Sequence, residues 1–249
     1  MNTELARHNN YANTPLRENY NPLPGIITYD TEVNPTIHSP NAEYDIPFYI
    51  TKEMVVDIDL YRNFVKNCVY RFRRSRYYKQ YKAYLISLGL DHSQILGNID
   101  DTMADIEMHH AILTIFDITL MITEHLINTV GRATSFDVIQ LLIEEHHQNN
   151  IPIAMLDKTS HEMVHSDMDN FLPPTQIFGS WWNLVYKYRY GVSMEIAKKL
   201  LTYISRYYKE YSPMTVQLRT DLMNFSSYNI YGEPFNSSMA IEAKYTDIN

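Results

Sequence analysis

Apolar positions between Thr51 and Leu90 recur at the spacing of a helix. Leu60, Phe64, Cys68 and Phe72 fall four apart, and Tyr77, Tyr81, Tyr84 and Leu88 continue an apolar-aromatic stripe at threes and fours. Gly89 supplies a stop. Ile106 to Ile112 is short and apolar, which predicts a strand. Thr114 to Ile127 reads as a helix opened by Thr114-x-x-Asp117, and Ser135 to His147 as another, with Ser135 as N-cap and Asp137 in the first turn. Ile151 to Leu156 contains Pro152, so it reads as a short edge strand or an extended run. Thr159-Ser-His-Glu162 is a capping box that starts a further helix.

Phe171 to Gln176 carries a proline pair and reads as a loop. Phe178 to Tyr190 reads as an aromatic helix, in which Trp181 and Trp182 are core or interface residues. Ser193 to Tyr211 reads as a helix with Met194, Ala197, Leu201, Ile204 and Tyr208 on one face. Beyond Pro213 the chain reads as polar and irregular. Residues 1–50, rich in Asn, Pro, Tyr and Thr, read as an extended arm. The expected fold is α+β and mostly helical. Its segments are an arm (1–50), a basic and aromatic helical segment (51–100), a histidine-rich segment (101–170) and an aromatic helical C-terminal region with a tail (171–249).

Composition narrows this picture. The single cysteine, Cys68, excludes an intrachain disulfide and a cysteine-based zinc ribbon, and fits a reducing compartment. No apolar run reaches the ~20 residues of a membrane-spanning helix. The start, NTELARHNNY after Met1, lacks the apolar core of a secretory signal, so a soluble chain is expected. Net charge is -8, but unevenly spread. Residues 61–90 hold eight Lys/Arg and no acid, whereas residues 100–169 hold thirteen Asp/Glu and two bases. Such a local basic segment can grip phosphates even in an acidic chain, or it can be a solvated face.

Seven of the ten histidines lie between residues 109 and 165. His161 and His165 are four apart on the capped helix, so their imidazoles share a face, ~6 Å apart, in a common geometry for two metal ligands. A third ligand must come from elsewhere, and the doublet His109-His110 is the best candidate. On a strand the two point to opposite faces, so one can bind an ion while the other meets a substrate.

This order, a strand with His-His, then Asn, then a helix with His-x3-His, resembles the HNH or ββα-metal nuclease motif, and more closely a group of phage-encoded HNH-like proteins. The shared features run from Arg76–Tyr81 (RYYKQY) through Asn98-Ile-Asp, Glu107-x-His-His110, Phe116-Asp-Ile, Phe136-Asp137, His146-x2-Asn149 and Thr159-x-His-Glu-x-Val-His165 to PPTQIFG at 173–179. The resemblance implies a metal-dependent endonuclease that hydrolyses DNA phosphodiester bonds at a ββα-metal site with a helical insertion. It places one divalent ion (Zn, Mg, Mn or Ni) on His109, His161 and His165. It makes His110 the general base, with Asn149 positioning it.

Arg73, Arg74, Arg76, Lys79 and Lys82 are the expected DNA contacts. His146, His147 and Asn150 have no fixed role, and Asn150 is an alternative to Asn149. His125 is expected to be structural. The spacing departs from the compact motif: 38 residues separate His110 from Asn149. Two other readings stay open. One is a non-catalytic viral or host-complex assembly protein with a structural metal site, and the other is a helical core whose histidines bind nothing. If phage-encoded, the chain is expected in the host cytoplasm, with association to the virion open.

Overall fold

A computed structural model describes residues 36–37, 46–166 and 172–227. The described chain is mostly helical, with three two-stranded sheets. The strands are β1 (Thr36–Ile37), β2 (Ile46–Pro47), β3 (Tyr49–Thr51), β4 (Ile106–His110), β5 (Arg132–Thr134) and β6 (Ile153–Asp157). The α-helices are α1 (Ile58–Arg74), α2 (Arg76–Ser87), α3 (Ile115–Val130), α4 (Ser135–His147), α5 (Lys158–Ser166), α6 (Trp181–Lys187), α7 (Met194–Tyr207) and α8 (Pro213–Ser227). Most of the expected extended arm and the tail beyond Ser227 lie outside the described residues.

The basic aromatic segment is two helices rather than one. Asp57 caps α1 by accepting from the Leu60 amide at 3.0 Å. The helix buries Tyr61, Phe64, Val65, Cys68 and Phe72 along one side. At Ser75 the backbone turns extended (φ -67°, ψ 155°). Its amide closes α1 on the Phe72 carbonyl, and its hydroxyl accepts from the Tyr78 amide at 3.2 Å to open α2. The break rotates the stripe. Tyr81 and Leu85 are buried, whereas Tyr77 and Leu88 are about half exposed. Gly89 ends α2 at φ +84°, where the Leu90 amide reaches the Leu85 carbonyl and the Gly89 amide that of Ile86, a Schellman closure that needs a left-handed residue.

β4 and β6 form the central ladder, antiparallel, with His109 opposite Ala154 and His110 opposite Ile153. β6 is an edge of this two-stranded ladder, as expected, but its outer side is not open. Its other side is occupied by a bridge between Ile153 and Phe178 and by Gln94, whose backbone amide donates to the Met155 carbonyl and whose side-chain carbonyl accepts the Met155 amide. All five β6 residues are buried. Pro152 is harmless because it stands before the strand and contributes only its carbonyl, which accepts from the Ala111 amide.

The cap of α5 is Asp157 rather than Thr159. Its carboxylate accepts from the Ser160 amide (3.0 Å), the Ser160 hydroxyl (2.6 Å) and the Ser93 hydroxyl (2.7 Å). Burial works to raise this carboxyl, but those bonds outweigh it and hold its pKa down to about 2. α3 opens with the expected capping box of Thr114 and Asp117. α4 is capped one residue earlier than expected, by Thr134. Ser135 instead sends its amide and hydroxyl to the Phe48 carbonyl, joining α4 to the segment before β3.

The chain after Pro213 is helical, not irregular. Ser212 caps α8 through the Thr215 amide at 3.2 Å, and Thr215, Leu218, Leu222 and Phe225 are buried at spacings of three and four. Between α6 and α7 a short 3-10 turn, Arg189–Gly191, lies against α3. A Cβ on Gly191 would stand 1.8 Å from the Met121 carbonyl oxygen and 2.7 Å from the His125 amide nitrogen, both rigid helix backbone. Gly191→Ala is therefore expected to lower stability by about 3 kcal/mol, because two packed elements must separate. A urea midpoint within error of wild type would disprove this contact.

Candidate functional site: the two histidine faces of the central ladder

Strand alternation places Glu107 and His109 on one face of β4 and His110 on the other. On the inner face, His110 Nε2 lies 3.1 Å from His146 Nε2. The proton positions follow from the acceptors. His146 Nδ1 is 2.6 Å from the Leu142 carbonyl, which can only accept, so Nδ1 carries the proton and Nε2 offers a lone pair. His110 therefore donates its Nε2–H to His146.

Aromatic rings enclose this pair. Phe72 and Tyr81 stand 4.7 and 5.1 Å from the His146 ring, and Tyr78 stacks on His110 at 6.4 Å with an interplanar angle of 11°. Burial pushes the His110 pKa well below the ordinary histidine value, helped by the neighbouring His146 ring, with which a second proton would clash, and by the Arg73 charge. Burial likewise lowers His146 to about 4, although its bond to Leu142 works in the opposite direction. Both imidazoles are neutral at pH 7.

This placement differs from the expected one. His110, expected to meet a substrate, faces the core at 7% exposure, with its Nε2 proton committed. Its partner is His146, which had no expected role. His147 donates Nδ1–H to the Ile143 carbonyl at 2.8 Å and lies near Tyr81. Asn149 is a turn residue: at φ +56° it follows α4, and its carbonyl accepts from the Ser180 amide. Its side-chain nitrogen is 3.5 Å from the Tyr84 hydroxyl. Asn150 donates to Glu145, a fully buried carboxylate that also accepts from Tyr188 and pairs with Lys187.

On the outer face, His161 of α5 contacts the Glu107 carboxylate through Nδ1. A carboxylate accepts, so Nδ1 holds a proton in this contact. The His109 and His161 rings are edge to face, 5.1 Å between centroids. Two imidazoles on one tetrahedral ion, with ~2.0–2.1 Å metal–nitrogen bonds, hold their ring centres roughly 5 Å apart, a separation these two rings share. His165 is one turn further along α5, and its side chain lies outside the described residues. Among the described residues, no three His, Cys, Asp or Glu side chains converge as a metal site. No helix among them is long and apolar enough to cross a membrane.

Of the basic residues, Arg73, Arg74, Arg76 and Lys79 are exposed, with Arg74 over the Tyr70 ring at 4.4 Å. Lys82 differs: it donates to the Ile106 carbonyl at 2.7 Å and lines a cleft of about 310 Å³ with Asp91, Asp101, Asp105 and Glu107. Tyr78, Tyr81, Glu107 and Glu145 shape these sites without having been assigned a role there from the sequence. Glu107 was legible, standing two residues before His109 on one strand face. Glu145 was not, because its partners Lys187 and Tyr188 are more than 40 residues away.

The buried pair gives a pH dependence of definite sign. An unfolded histidine titrates near 6.5, while folded His146 resists protonation until about pH 4. Below pH 6.5 the unfolded chain binds a proton that the native chain refuses. The stability from this residue is thus full above that pH and declines towards pH 4, by at most about 3 kcal/mol. Urea midpoints should fall across that window, and more shallowly in His146→Gln. By NMR, His146 should stay neutral at pH 5.5; a titration midpoint near 6.5 would contradict the buried pair.

Comparison with known proteins bears on identity rather than geometry. The family model described as bacteriophage G278-like virion protein matches residues 18–230. No curated protein matches the chain, and neither does any solved structure. The family match overturns the endonuclease expectation, since it names a virion protein and nothing in it indicates an HNH nuclease. With that expectation goes the reason to read Arg73, Arg74, Arg76, Lys79 and Lys82 as DNA contacts. The family match covers most of the sequence, and the chain belongs to the bacteriophage G278-like virion protein family.

Proposed function

We propose that the chain is a non-catalytic structural component of the phage particle, held there by contacts with other virion proteins. The observation that carries this reading is the virion-protein family match across residues 18–230. The geometry agrees with it. The imidazole on which hydrolysis would depend is turned inward and hydrogen-bonded, whereas exposed apolar side chains such as Tyr77, Leu96, Met103 and Tyr186, all over 50% exposed, are available for docking. Synthesis in the host cytoplasm and departure with the particle belong to the same reading.

In purified particles the chain should co-sediment with the capsid and tail proteins at a fixed copy number, measured by quantitative mass spectrometry across a density gradient. Its absence from the particle fractions would overturn the proposal.

A metal ion has a structural place in this reading, on the outer face of the ladder. His109 and His161 would be ligands, with His165 as the third named by the sequence. Glu107 would orient His161 by holding its Nδ1 proton, as carboxylates do for metal-bound imidazoles. Nitrogen donors suit zinc or nickel better than magnesium.

Full-length chain purified without a tag should carry about one zinc-class ion and lose thermal stability on chelation, with both effects absent in His161→Ala. Metal well below one per chain, with a melting temperature indifferent to chelator, would sink the metal site and leave the virion role untouched.

A further inference from the structure

We infer that two copies of this chain associate along α2, the basic end of each helix lying against the acidic cleft at the far end of the other. This deepens the assembly reading by naming a partner, a second copy of the same chain.

The outer row of α2 is Arg76, Gln80, Ala83 and Ser87, spaced four, three and four, and all four are exposed. Tyr77, Tyr84 and Leu88 flank it at 52%, 39% and 49% exposure. At the N-terminal end stand Arg73, Arg74, Arg76 and Lys79, exposed, and among the described residues none has a carboxylate partner. The opposite end borders the cleft, where Asp91, Asp101, Asp105 and Glu107 face one ammonium, that of Lys82, which is already bonded to the Ile106 carbonyl. Asp101 and Asp105 are exposed and, among the described residues, pair with no cation.

These patches have opposite sign and sit towards opposite ends of a 12-residue helix, which is ~18 Å long. A two-fold axis crossing α2 near Ala83 sets two such helices antiparallel and brings each basic end to the partner's cleft. That is the self-complementary pattern an isologous interface requires. Ala83 at the crossing keeps the helices from being held apart by bulk, and Tyr and Arg at the margins are the side chains that most often anchor such contacts.

The net charge of -8 opposes association at long range. Physiological salt screens that repulsion beyond ~8 Å while leaving the contact pairs, and ~1 M salt, with a screening length of ~3 Å, weakens the pairs as well.

Sedimentation velocity on the full-length chain at roughly 100 μM reveals micromolar association. Wild type is expected to be dimeric at physiological salt and to shift towards monomer at high salt. Arg76→Glu/Lys79→Glu and Asp101→Lys/Asp105→Lys should each be monomeric, while their equimolar mixture should form a 1:1 dimer at least about tenfold tighter than either alone, because the reversed charges meet again. Should a charge-reversed chain fail to fold, Ala83→Arg at the crossing is expected to abolish dimerisation by itself. Monomeric wild type, a mixture no tighter than its parts, or a dimer indifferent to Ala83→Arg would overturn the inference. All of these are read on purified chain, so their failure is separate from absence of the chain from particles.

Discussion

The pairing of β4 with β6 fixes nearly everything chemically interesting in this chain. With His109 opposite Ala154, one strand face carries Glu107 and His109 and the other carries His110. A slip of one residue would exchange the faces, sending His110 outward and burying the Glu107 carboxylate against an aromatic box with no cation to meet it. The register is held from outside the pair as well. Gln94 clasps both polar groups of Met155, Phe178 bridges Ile153, and Asp157 locks the end of β6 to Ser93 and to the first turn of α5. A strand buried on both faces and bonded on both edges has no freedom to slide.

That clasp also explains which parts of the fold were legible in the sequence. Where a boundary is set by neighbours in the chain, the residues announce it: Thr114 with Asp117 opens α3, Ser193 opens α7, and Gly89 closes α2. Where a boundary is set from a distance, they do not. Pro152 announces β6 as an edge, while its cover by Gln94 and Phe178, far along the chain, is not visible in the sequence. Ser75 interrupts a stripe that continues in helical register on both sides, so periodicity runs straight through it. α8 was legible and is masked only by its polar surroundings: Ser212-Pro213 is a proper opening, and Thr215, Leu218, Leu222 and Phe225 keep helical spacing.

The histidines show the same division in chemical form. Their order along the chain matches the motif of a nuclease, and order is what a sequence displays. A catalytic base needs something more, an imidazole that faces water and is free to take a proton. His110 faces the core instead, because α4 delivers His146 to the inner face of β4 and the two Nε2 atoms pair inside a wall of Phe72, Tyr78 and Tyr81. A buried neutral pair of this kind strengthens a core, since the two Nε2 atoms and His146 Nδ1 are hydrogen-bonded while the rings pack like hydrophobes. It is a device for holding β4, α1, α2 and α4 together, as a part of a particle requires.

α2 then has two unlike duties. Its inner side, Tyr78, Tyr81 and Leu85, closes the aromatic box, which makes the helix rigid. Its outer side carries the exposed Arg76 and Lys79, which pair with no carboxylate among the described residues, beside half-exposed rings. A surface whose unsatisfied groups ride on a helix locked from behind loses little conformational entropy on docking, because the ordering is already done by folding. The buried imidazoles and the exposed basic end are thus parts of one arrangement: the first stiffens the element on which the second is displayed. In an acidic chain such rigidity matters, for scattered flexible cations would be neutralised by nearby carboxylates, whereas cations fixed on α2 are kept for a partner.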